Sequence, residues 1–194
     1  MGKAIGREEA WELFCEYNKS AALRTHALAV EATMLHFAGL EGLEGAEAEK
    51  WGVVGLLHDF DYEKFPDEHC VKSAEIMRGR GIDEEYIRAV CSHGYGICVD
   101  VEPLSKMEKV LYTVDELTGL INAACLLRPS RSVLDLELKS VKKKFKDGNF
   151  AAGVNREVIL KGCAMLGMEL DEIISQTIAG MRARAEALGL KGNL

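Results

Sequence analysis

Apolar residues recur at three- and four-residue intervals along almost the whole chain, and alternation over several consecutive residues is absent. That spacing buries one stripe of a helix and leaves a strand no apolar face, so the chain is read as all-α. Helices are predicted over 7–18, 20–38, 46–59, 69–79, 83–93, 103–125, 133–146, 154–166 and 169–187. Gly39 to Gly45, Phe60 to Glu68, Gly94 to Glu102 and Arg128-Pro129-Ser130 are the breaks. Asp83 is a predicted N-cap, Pro103 is placed in the first turn of the long helix, and the last seven residues are read as a frayed tail. With 194 residues, 48% of them hydrophobic, one domain over 1–194 is expected, with a core about 20–125 and a helical extension about 126–194.

A formal charge of −7 repels polyanions, so a nucleic-acid polymer is not an expected partner. No apolar run approaches the ~20 residues needed to span a bilayer, and neither a signal segment nor a lipidation motif is read at the ends. The six cysteines form no CxxC pair, which fits reduced thiols and a cytoplasmic setting. The lysines at 139, 142, 143, 144 and 146 are read as a solvated helix face.

The informative feature is polar residues at core positions. His26 falls within about 40° of Val30, Thr33 and Phe37 on its helix, and therefore points inward. His58-Asp59 closes the apolar run Val53 to Leu57, where a carboxylate is costly unless compensated. Asp115 shares its side of the long helix with Leu104, Leu111, Gly119 and Asn122. His93 follows Tyr86, Ala89 and Val90 on an inner face, whereas His69 shares a mixed face with Lys72, Ser73 and Ile76. His36 lies off the His26 direction without an acidic companion and is read as a surface or packing residue. A single inward histidine is ordinarily a hydrogen-bonded core residue. Buried imidazoles together with buried carboxylates are the donor set of a divalent transition metal, and one cation would resolve several of these anomalies at once.

In order along the chain, His26, His58-Asp59, His69, His93 and Asp115 resemble the HD superfamily of metal-dependent phosphohydrolases. The matching segments are Arg24 to Val30, Gly55 to Asp59, Glu68-His69-Cys70, Val90 to His93 and Glu108 to Asp115. The resemblance implies an HD-domain helical bundle with additional C-terminal helices. It also implies one metal on His26, His58, Asp59 and Asp115, and a second on Asp59, His69 and His93 with Asp59 bridging. Iron, manganese, nickel, cobalt and zinc all suit such donors.

The pair is followed by Phe60-Asp61-Tyr62-Glu63-Lys64 in place of the common HDxGK form. Lys64 is therefore the candidate catalytic lysine beside His58 and Asp59. Lys72, Arg128 and Arg131 are candidate phosphate contacts, and Asp61 and Glu63 are candidate orienters of the metal ligands. The expected activity is hydrolysis of a small phosphorylated substrate, a nucleotide or dinucleotide, by a metal-activated hydroxide. Two other readings share the donor set: a di-iron HD-type oxygenase, and a non-catalytic metal- or nucleotide-sensing module.

Overall fold

The computed structural model describes residues 2–193. Among these it holds nine α-helices and no strand, with 62% of the chain helical, as the periodicity predicts. They are α1 (Arg7–Tyr17), α2 (Ala21–Leu40), α3 (Gly45–Leu57), α4 (Val71–Gly79), α5 (Glu84–Ser92), α6 (Lys106–Leu126), α7 (Leu138–Lys146), α8 (Arg156–Leu166) and α9 (Leu170–Ala183). A single turn of 3-10 helix, Pro66–Glu68, precedes α4. No described helix is long and apolar enough to cross a membrane.

The long helices α2 and α6 form the centre. Helix α3 packs along α2, α9 lies on α2, α8 lies on α6, and α4 with α5 closes the far side. The α2–α3 contact is tight because Gly55 faces backbone. A Cβ there would stand 3.2 Å from the Glu31 nitrogen and 2.8 Å from Met34 Cγ. This close approach lets His58, one residue past α3, reach His26 on α2.

Polar anchors hold the segment after His58. The buried Asn18 amide donates to the Phe60 carbonyl at 2.6 Å, and the Glu63 carboxylate accepts the Lys19 and Ser20 N–H groups at 2.8 and 2.9 Å. Phe60 and Asp61 are both fully buried, so this connector is a packed turn. Glu63 stabilises the start of α2, where four N–H groups lack helical partners.

Three boundaries differ from the expectation by three or more residues, the third being the end of α9, at Ala183 instead of 187. Helix α6 begins at Lys106 because Ser105 and Glu108 form a capping box, leaving Pro103 and the 64% exposed Leu104 outside it. Leu104 therefore does not share a helical face with Asp115. Helix α7 begins at Leu138, since the preceding segment turns to meet the C-terminus.

The expected frayed tail is instead docked. Leu188 and Leu190 are buried, the Val133 N–H donates to the Leu190 carbonyl at 2.9 Å, and the Asn193 N–H donates to the Ser130 carbonyl at 2.8 Å. Apolar burial of two leucines and pairing with a distant turn outweigh the entropy a free end would keep. Leu194 lies outside the described residues. Replacement Leu190→Ala is expected to cost about 2–5 kcal/mol in urea denaturation. A change within about 0.5 kcal/mol would mark Leu190 as an exposed residue after all.

Candidate metal centre

Four imidazoles and two carboxylates meet where α2, α3, α5 and α6 converge. His26 comes from the interior of α2 and Asp115 from the interior of α6. His58 and His93 each occupy the C-cap of a helix, α3 and α5. The last carbonyls of a helix lack intrahelical donors. The ring of each C-cap histidine meets one of them: His58 Nδ1–H donates to the Gly55 carbonyl at 2.7 Å, and His93 Nδ1–H to the Val90 carbonyl at 2.6 Å.

His69 sits before α4. Its Nδ1–H donates at 2.6 Å to Oδ1 of buried Asp61, whose Oδ2 accepts the N–H groups of Cys70 and Ser73. Thr118 donates its hydroxyl to the Asp115 carbonyl at 2.8 Å and turns the oxygen lone pairs toward His26 Nδ1, 3.5 Å away.

Committing Nδ1 in this way leaves the Nε2 lone pair of each ring facing inward. The consequence is two head-on pairs, His26 Nε2 to His58 Nε2 at 3.1 Å and His69 Nε2 to His93 Nε2 at 2.9 Å. Two lone pairs at such a distance repel unless a proton or a cation lies between them.

Asp59 stands between the pairs. Its Oδ2 faces His58 at 3.4 Å and His26 at 3.7 Å, while its Oδ1 faces His69 at 3.2 Å and His93 at 3.4 Å. Asp115 Oδ1 lies 3.0 Å from His26 Nε2 and 3.3 Å from His58 Nε2. Two overlapping donor sets result, His26/His58/Asp59/Asp115 and Asp59/His69/His93, with the atoms of each within 4.8 Å of one another. Donors bound at about 2.1 Å to one cation stand about 3.0–3.4 Å apart in octahedral or tetrahedral arrangements. The residues present therefore fit a divalent metal at each set, with one Asp59 oxygen for each.

The titration behaviour has the same origin. Burial disfavours the His58 cation, but the charges of Asp59 and Asp115 outweigh it and hold its pKa well above the ordinary imidazole value. Burial also works against the His69 cation, and bonds to Asp59 and Asp61 nevertheless raise its pKa to about 10. Burial would raise Asp59 and Asp115, yet the charge of His58 and the surrounding imidazole bonds hold both well below the usual carboxylate range. Glu116, next along α6, is pushed up by burial although it accepts the Asn155 N–H at 2.9 Å.

The cluster opens to solvent through a cleft of about 350 Å³ lined by His26, Asp59, His69, His93, Asp115 and Glu116, with Tyr62, Gly94, Ile97, Cys98, Gly119 and Val154 around them. Asp61 serves the cluster through His69, as expected of an orienter, but the predicted lysines and arginines do not line the cleft. Lys64 Nζ lies 4.3 Å from the centre of the Tyr17 ring, and Lys72 Nζ bonds Glu75 at 2.7 Å. Arg128 pairs with Asp135 at 2.7 Å, and Arg131 is exposed in the turn after α6. Each of the first three cations has a partner of its own, and none of them lines the cleft. Glu63 serves the α2 N-terminus and not the cluster. His36 bonds Gln176 on α9 at 2.8 Å, a packing role.

Sequence reasoning missed Thr118, Glu116 and Cys98. Thr118 carried a signal, standing one helical turn after Asp115. Cys98 carried none, because a connector without periodicity gives no direction to its side chains.

A family model for the HD domain matches residues 23–120, half of the chain. The chain belongs to the HD-domain family. HD domains are typically metal-dependent hydrolases that bind divalent cations, and the His/Asp cluster of this HD domain is able to hold them. No curated protein and no solved structure matches the chain.

The raised pKa of His69 sets a pH dependence. A group whose pKa rises on folding stabilises fully below its unfolded value and loses that contribution as pH climbs through the folded one. Chelator-treated protein is therefore expected to melt at progressively lower temperature as pH rises from about 6.5 to about 10. Apparent metal affinity should rise over the same interval, because bound protons compete with the cation. Thermal melts and metal titrations at three pH values check both, and a melting temperature flat across that range would contradict the assignment.

Proposed function

We propose that this HD domain is a two-metal phosphohydrolase acting on a small phosphorylated molecule, a nucleotide among the candidates. The observation that carries the reading is the orientation of Asp59, with one oxygen toward each imidazole pair. In this proposal His26, His58 and Asp115 complete one position, His69 and His93 the other, and Asp59 joins them. When bound, a pair of divalent cations lowers the pKa of coordinated water and neutralises phosphoryl oxygens, which is what in-line phosphoester hydrolysis requires.

The chain's own part is orientation and exclusion. Gly55 and Val90 carbonyls, Asp61 and Thr118 fix the imidazole rings, so the donors need no rearrangement to receive a ligand. Tyr62, Ile97 and Val154 give the cleft apolar walls for the non-phosphoryl part of a substrate. At about 350 Å³ the cleft is at the small end for ligand sites, which favours a mononucleotide-sized molecule over a dinucleotide. A cytoplasmic setting is part of the proposal.

One observation favours a second reading. Among the described residues, no lysine or arginine lines the cleft, whereas a phosphate site commonly recruits one. A di-iron oxygenase acting on an uncharged substrate would not need it. Hydrolysis of a phosphomonoester under anaerobic conditions with manganese decides between the two.

Metal analysis of wild type is expected to return one to two equivalents of transition metal, with His58→Ala/Asp59→Ala losing most of it. Hydrolysis of nucleoside monophosphates or an aryl phosphate by Asp115→Ala should fall about 100-fold or more. Lys64→Ala, Lys72→Ala and Arg128→Ala should stay within about threefold of wild type, since none lines the cleft. Full metal content in the double variant, or undiminished turnover by Asp115→Ala, would defeat the proposal.

A further inference from the structure

We propose that Cys70 and Cys98 form an oxidisable dithiol, a modification site for hydroperoxides that ties the rim of the cleft to the turn before α4. Cys70 is fully buried between the Asp61 turn and α4, whereas Cys98 is exposed on the connector after α5 and lines the cleft. Their sulfurs lie 3.6 Å apart although 28 residues separate them. Two independent features hold them together. A Cβ at position 94 would stand 2.5 Å from Cys98 Sγ and 2.9 Å from Cys70 Sγ, so only glycine there leaves room for both sulfurs. Cys70 itself adopts φ 65°, a conformation rare for an L residue, held by the bonds from its own N–H and that of Ser73 to Asp61 Oδ2.

The chemistry needs one hydroperoxide per pair. The exposed Cys98 sulfur attacks the terminal peroxide oxygen, the O–O bond breaks, and water or an alcohol leaves with the thiol proton. Cys98 is then a sulfenic acid. The Cys70 sulfur attacks that sulfur, the S–O bond breaks, and hydroxide leaves with the Cys70 proton as a second water. Two thiols have lost two electrons and two protons, and the peroxide has taken them up. Closing from 3.6 Å to the about 2.05 Å of a disulfide draws Cys98 inward, on the side of the cleft where His69 and His93 stand. The thiol pair borders the His69 and His93 donors, with Cys70 Sγ 3.9 Å from His93 Nε2, but the inference does not depend on the hydrolase reading.

The test treats full-length protein with stoichiometric hydrogen peroxide, alkylates, digests without reductant and analyses the peptides by mass spectrometry. Chelation comes first, because both sulfurs lie within 4.8 Å of a His69 nitrogen and a bound soft cation would shield them. Expected are a linked Cys70–Cys98 peptide, a loss of about 2 Da from the intact chain, and reversal by dithiothreitol. Cys98→Ser, at an exposed position, should melt as wild type does and give no linked peptide. Cys98 recovered as sulfinate with Cys70 still free, or a Cys70 crosslink that persists in Cys98→Ser, would overturn the proposal.

Discussion

Everything near the centre of this molecule answers to one electrostatic constraint: four imidazole nitrogens point their lone pairs at one another around two carboxylates. Head-on nitrogens at 2.9 and 3.1 Å are tolerable only with positive charge between them, as protons or as cations. The shifts of His58 and His69 toward retention of protons, and of Asp59 and Asp115 toward loss of them, are the proton-filled version of that balance. Metal ions would fill the same space with more charge, and would use the ring orientations already fixed at Nδ1. The cluster therefore stores a demand for cations in the arrangement of its backbone.

That demand is enforced from outside the cluster. Helix C-caps deliver His58 and His93, whose rings satisfy the carbonyls that helix ends leave bare. Asp61 does more than orient His69, because the same carboxylate gathers the N–H groups of Cys70 and Ser73 and so starts α4. One buried acid thus couples the site to the local fold. Asn18 and Glu63 pin the turn that carries Asp61 against α1 and α2. Removing any of these polar contacts would loosen a donor without touching it.

Legibility in the sequence followed from how local each cause is. His26 and Asp115 lie inside long helices whose apolar stripes give direction to every side chain, so spacing alone exposed them as inward polar residues. His69 sits two residues before α4, in a stretch where Cys70 takes positive φ, and no helical wheel describes it. Its position became readable only through resemblance to other HD domains. The start of α6 was encoded in Ser105 and Glu108, a local signal that Pro103 obscured. The docked C-terminus was not encoded locally, since Leu190 is buried by a turn some sixty residues earlier in the chain. Lysine and arginine directions were equally unreadable, because long flexible side chains settle on whichever carboxylate or ring the tertiary fold brings close.

The charge of the cleft orders the events of the proposed reaction. With the protons retained by His58 and His69 only balancing the charges of Asp59 and Asp115, no lysine or arginine among the described residues that line it, and a net formal charge of −7 on the whole chain, the cleft without metal ions offers an approaching phosphate no net positive charge. A phosphorylated substrate would therefore be held weakly by the proton-filled site and drawn to the metal-filled one. Loading must precede substrate binding in this scheme, and the affinity for an anionic substrate becomes a readout of metal occupancy. Glu116 narrows the contrast. Its carboxyl, already pushed toward the protonated form by burial, would ionise more readily once cations were bound beside it, and would then favour substrates that bring a hydroxyl or amino group to that wall.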